Sequence, residues 1–137
     1  MKKILIPALL FVLTTLTPAF SHAGTVQIGL MAPLTGAFAS EGEDMRKLVG
    51  LLADEVNKKG GINGDTIELV VEDDGSTPRS AANAANRLVA KGVPVVIGTY
   101  GSAITEASQE IYDEAGVVQI ATGSTSIRLT SKGLERF

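Results

Sequence analysis

Val93-Pro94-Val95-Val96-Ile97-Gly98-Thr99-Tyr100-Gly101-Ser102 is the stretch from which the architecture can be read. Val93 to Ile97 is a short continuous apolar run, the pattern of a strand buried on both faces. Gly98 closes it, and Ser102 opens a segment where Ile104, Ala107, Ile111, Tyr112 and Ala115 recur every three or four residues. That spacing predicts an amphipathic helix. A buried strand, a small-residue turn and a helix start leave backbone N–H groups pointing outward without partners, and such an end accepts a carboxylate or a phosphate. The same residues also read as an ordinary strand-to-helix connection with Ser102 as its N-cap.

The pattern repeats on either side. Upstream, Thr25 to Ala32 reads as a strand broken by Pro33-Leu34-Thr35-Gly36, and small residues continue to Gly42. A helix follows with Met45, Leu48, Val49, Leu52 and Val56 on one face, and Gly60-Gly61 stops it. Asn63-Gly64-Asp65 is a turn into a second strand, Thr66 to Glu72, with Ile67, Leu69 and Val71 on one side and Val70 on the other. Thr77-Pro78 starts a helix as N-cap and first helical residue, with Ala81, Ala85, Leu88 and Val89 facing inward. Downstream, Val117 to Ala121 is a fourth strand that opens into Thr122-Gly123-Ser124-Thr125-Ser126, and Ile127 to Phe137 begins another element. The order β-α-β-α-β-α-β predicts an α/β fold, a parallel sheet with helices on both faces. Ligands of such sheets sit outside the strands' carboxyl ends, where strand order reverses.

Residues 1–23 stand apart. Lys2 and Lys3, an apolar run from Ile4 to Leu16 and the small-x-small Ser21-His22-Ala23 predict a secretory signal peptide cut after Ala23. The run is short of the ~20 residues a spanning helix needs, and no Cys follows to carry a lipid. The leader holds two lysines and no acid, so the net charge of −3 becomes −5 over residues 24–137. An acidic chain without a basic stripe excludes nucleic acid as the expected partner. The single His is His22, and the chain has no Cys. Residues 24–137 therefore have neither imidazole nor thiol, which removes Ser-His-Asp and Cys-His catalysis, most zinc sites and any disulfide. No G-x-G-x-x-G follows the first strand and no G-x-x-x-x-G-K-[ST] occurs, so no cofactor is expected. Glu72-Asp73-Asp74 could hold a hard cation, though such a run is more often solvated or caps the next helix. What survives is recognition by hydroxyls, backbone amides and a few aromatics, without an evident catalyst.

At this level of detail the chain resembles the periplasmic solute-binding proteins of branched-chain amino acid ABC transporters, the leucine/isoleucine/valine-binding type. The runs that carry the resemblance are Ile28-Gly29-Leu30-Met31-Ala32-Pro33-Leu34-Thr35-Gly36, Asn57-Lys58-Lys59-Gly60-Gly61-Ile62-Asn63-Gly64, Glu72-Asp73-Asp74, Val96-Ile97-Gly98 and Leu129-Thr130. The resemblance implies a type I periplasmic binding protein, a two-lobed clamp that closes on an amino acid and delivers it to an inner-membrane permease complex. Within it, the loop Tyr100-Gly101-Ser102 would hold the ligand carboxylate through a hydroxyl and backbone N–H, and Gly123 and Thr125 would hold the ammonium. Glu41 stands where an aromatic often contributes to the pocket, and Ser76 and Gly101 stand where members often carry a disulfide. Because the family runs to more than twice this length, residues 24–137 are expected to form an incomplete N-terminal lobe, truncated at its C-terminal end. The rival expectation is a periplasmic sensor domain that detects an amide or amino acid for a signalling partner.

Overall fold

Eight-residue β1 (Thr25–Ala32) runs beside β2 (Thr66–Asp73) in a computed structural model that describes residues 24–137. The predicted signal peptide lies outside the described residues. Helix α1 (Ala39–Lys58) links the two strands, and α2 (Pro78–Ala90), β3 (Val95–Ile97), α3 (Ser102–Glu114) and β4 (Val118–Ile120) follow. A single 3-10 turn, Ile127–Leu129, comes after β4. The four strands form one parallel sheet in the order β2-β1-β3-β4, with Thr25 opposite Thr66 and Ala32 opposite Asp73. The chain builds outward from β1 to β2 and then returns to β1's other edge with β3. The order therefore reverses between β1 and β3, and the loops leaving their carboxyl ends diverge there.

Pleating assigns the two faces. Met31 and Val96 point to the side covered by α2 and α3, where they pack with Ala81, Ala84, Ala85, Leu88, Ile104 and Tyr112 in the main core. Ile28, Ile67, Leu69 and Ile97 point to the other side, against Val49, Leu52, Ala53 and Val56 of α1. Helix α2 begins as its sequence predicts: Thr77 accepts a hydrogen bond from the Ser80 N–H and Pro78 takes the first helical position.

Several boundaries differ from the sequence reading. Helix α1 starts at Ala39 rather than after Gly42, so Gly42 lies inside it. A Cβ at Gly42 would fall 2.0 Å from the Pro33 carbonyl oxygen, so the small residue permits close packing rather than marking a loop. The apolar face expected of α1 is only partly covered: Leu48 and Leu52 are 59% and 52% exposed. One helix lies over this side of the sheet, and Ile120 of β4 is exposed on it too. Of the apolar run Val93 to Ile97, Val93 and Val96 are buried, Val95 and Ile97 are partly buried and Pro94 is exposed, and only Val95 to Ile97 pair as a strand.

Candidate functional site

At the carboxyl end of β3 the chain turns through Thr99, Tyr100 and Gly101 into α3. Gly101 is the N-cap, with φ of 96°, a left-handed conformation that glycine adopts without strain. Ser102 is thus the first helical residue and does not cap the helix, contrary to the simpler reading of the sequence. Its Oγ instead accepts hydrogen bonds from the N–H groups of Thr125 (3.2 Å) and Ser126 (3.1 Å). With both lone-pair directions engaged, the Ser102 O–H is left to donate outward. That hydroxyl lies at the N-terminal end of α3, where the helix dipole favours negative charge.

Behind Ser102 lies a hydroxyl relay that the sequence reading missed. Thr105 Oγ1 sits 2.7 Å from Thr99 Oγ1 and 2.5 Å from Ser124 Oγ, tying the ends of β3 and β4 to the first turn of α3. Thr99 and Thr105 are fully buried. Deeper, Gln119 of β4 donates to Ser108 Oγ at 2.9 Å. Gln109, one residue on, is also buried and donates to the Leu129 carbonyl, which fastens the 3-10 turn to α3.

Tyr100 forms the other flank. Its ring meets Phe38 edge-on, with centroids 5.3 Å apart. A Cβ on Gly123 would fall 2.3 Å from the Tyr100 ring, so only glycine lets the β4 loop lie against that aromatic. Tyr100, Glu41, Asp44, Met45, Leu48 and Thr122 line a shallow depression beside it. The six residues singled out in the sequence therefore gather at one end of the sheet. Ser102 and Thr125 meet directly, Gly101 precedes Ser102 as N-cap, Tyr100 and Glu41 line the adjoining hollow, and Gly123 lies against the Tyr100 ring.

The acidic run at the carboxyl end of β2, Glu72 to Asp74, is neither solvated nor simply a helix cap. Glu72 pairs with Arg87 and Lys91 of α2. Partial burial works to raise its pKa, but these cations hold its carboxyl below the usual range. Asp73 accepts from the N–H groups of Leu34, Thr35 and Gly75 and from the Thr35 hydroxyl. Those bonds outweigh its partial burial and keep it ionised below the usual range. Asp74 is fully buried. Its Oδ1 takes the Ser76 N–H at 2.8 Å, while Oδ2 has no partner among the described residues. Burial, with a contribution from neighbouring Asp73 and against the Ser76 hydrogen bond, pushes it up to about 6. Ser76 in turn donates to the Thr35 carbonyl and accepts from the Phe38 N–H. The run is thus a clamp on the β1–α1 loop that seats Phe38 beside Tyr100.

A family model described as periplasmic binding protein matches residues 25–134. The chain belongs to that family. An amino acid binding protein of Pseudomonas aeruginosa is 42% identical over 116 residues, 83% of this chain and 31% of the relative. The Leu/Ile/Val-binding protein homolog 2 of Brucella abortus is 39% identical over 109 residues, 80% of this chain and 29% of that protein. Among solved structures, the branched-chain amino acid transporter substrate binding protein LivJ from Streptococcus pneumoniae, in complex with isoleucine, superposes with a TM-score of 0.78. It is 34% identical, over 82% of this chain and 32% of that one. The chain thus spans about a third of the length of the relatives it matches, and it has the parallel α/β lobe of this family of solute-binding proteins, which are not enzymes.

Proposed function

We propose that residues 24–137 supply one jaw of an amino-acid clamp in an ABC importer, and that the Ser102 hydroxyl at the start of α3 binds the solute's carboxylate. The observation that carries this reading is the arrangement of Ser102: its oxygen is occupied by two loop N–H groups, and its proton is free to be given away at a positively polarised helix end. The relatives' names supply the class of solute, since they bind amino acids or, in the LivJ structure, isoleucine. An α-amino acid presents a carboxylate and an ammonium side by side. Ser102 and Thr125 are held side by side in the same way, so the Thr125 hydroxyl and the Gly123 carbonyl are the acceptors for the ammonium. Residues 1–23 would export the protein to the periplasm, and the loaded clamp would pass its solute to an inner-membrane permease.

The test is calorimetric titration of amino acids into the full-length protein. Ser102→Ala should weaken binding by about 1.5–3 kcal/mol, roughly ten- to a hundred-fold, without abolishing it because the helix N–H groups remain. Thr125→Val should cost a comparable amount. Glu114→Ala, exposed at the far end of α3, is the control and should change nothing. Unaltered affinity of Ser102→Ala for every amino acid that binds would place the carboxylate elsewhere.

A further inference from the structure

The outer side of α1 carries leucines that its own fold leaves open. Ala53 is buried on the side turned to the sheet, and Leu51 lies about 160° round the helix from it, facing away from the strands. Leu48, Leu51 and Leu52 are 59%, 68% and 52% exposed and adjoin one another within about one turn. A lone exposed leucine is ordinary, but a contiguous group marks a contact surface. An element covering the rest of that side of the sheet would lie beside α1, not over Leu51.

The charges around Leu51 are placed symmetrically and with opposite sign. Asp44 lies seven residues before it and Lys58 seven after, while Lys47 lies four before and Glu55 four after. Steps of four and seven return to one side of an α-helix, so these residues share a stripe with Leu51. All of them are exposed. Lys47 and Glu55 each make an exposed pair one turn away within the helix, with Glu43 and Lys59, and such pairs hold side chains weakly. Among the described residues, Asp44 and Lys58 make no ion pair.

From this pattern we infer that α1 is the contact helix of a homodimer, in which it crosses a second copy of itself antiparallel about a two-fold axis at Leu51. In such a pairing each position before Leu51 faces the position equally far after it in the other copy. Asp44 of each copy then meets Lys58 of the other, and Lys47 meets Glu55. A shallow crossing of about 20° keeps both ends of the stripe within reach. A parallel pairing would instead set Asp44 against Asp44 and Lys58 against Lys58, so the charges select the orientation. The leucines supply the attraction, by burying apolar surface at the centre of a charged rim. One helix from each copy makes a small interface, and the dimer is of the transient class, with Kd of about 10–100 μM. The inference does not depend on which solute the protein binds.

The experiment is sedimentation velocity of the full-length protein and its variants at about 1 to 500 μM, a range that brackets a transient dimer. The unaltered protein should pass from monomer to dimer as concentration rises. Leu51→Glu should remain monomeric throughout. Lys58→Glu, which puts a carboxylate opposite Asp44, should weaken the dimer at least tenfold. Adding Asp44→Lys to that variant restores opposite charges across the axis and should recover most of the loss. Thermal melts establish that each variant is folded, and the charge exchange decides the matter if Leu51→Glu is not. A protein that stays monomeric across the range overturns the inference. So does a dimer that Leu51→Glu leaves intact, or a double variant that dissociates as readily as Lys58→Glu alone.

Discussion

Replacing Asp74 by Asn should remove a pH dependence from the folding stability that the rest of the chain cannot supply. In the native fold the carboxyl is fully buried, one oxygen receives the Ser76 N–H, and the other has no partner among the described residues. Burial raises its pKa from the usual 3.8 to about 6. The folded state therefore holds the Asp74 proton more tightly than the unfolded state does. Below pH 3.8 both states are protonated and the group costs nothing. As pH rises from there, the unfolded chain ionises first and stability falls, until the native carboxyl also ionises near pH 6 and the loss levels off. The full loss is about 3 kcal/mol, at 1.36 kcal/mol for each tenfold change in proton affinity. Asp73 and Glu72 act in the opposite sense, since their lowered pKa values contribute stability that is lost as pH falls. They are present in both proteins, so they cancel in a comparison. Urea unfolding of the unaltered protein and of Asp74→Asn, at intervals from pH 3.5 to 7.5, measures the difference directly. The advantage of the Asn variant should grow by about 3 kcal/mol across that range, whatever constant offset the new amide brings. A difference that stays flat with pH would mean that Asp74 titrates as an ordinary aspartate and that its burial carries no charge penalty.

Two other outcomes follow from features of the fold. Gly42→Ala places a methyl where the Pro33 carbonyl oxygen would be 2.0 Å away; it should destabilise the protein by about 3 kcal/mol in thermal or urea unfolding, and a neutral result would show that α1 can lift off the β1–α1 turn. Mass spectrometry of the exported protein should give an N-terminus at Gly24, and retention of Met1 on a membrane-bound product would refute the leader assignment.

The strands and the order of elements were legible because their signals are local. Period-two alternation marks Thr66 to Glu72, and Thr77-Pro78 marks the start of α2 without help from anything distant. The face of α1 was harder to read. Leu48, Leu52 and Val56 have faultless helical spacing, yet spacing states only that residues share a face, not that something covers it. Gly42 misled for a related reason: a glycine in a run of small residues looks like a loop, and only the approach of Pro33 across the sheet end explains it inside a helix. Ser102 shows the limit at the site. Its position beside a helix start was evident, but its partners are the N–H groups of Thr125 and Ser126, more than twenty residues away, and no local pattern encodes that pairing. Gln109 and Gln119 are buried polar residues that no local pattern marks, because their partners lie on the 3-10 turn and on α3.

The polar bonds that join the loops have a consequence for the thermodynamics of capture. Asp73 and Ser76 lash the β1–α1 loop to the end of β2, and Thr105 joins the ends of β3 and β4 to α3. Each of these segments would otherwise lose conformational freedom on meeting a solute, at about 1–2 kcal/mol for every backbone residue that becomes fixed. Here that ordering belongs to folding. If the proposed clamp reading holds, a solute would meet loops already ordered by folding, and the cost of association would fall chiefly on the solute's own motion and on whatever closes over it.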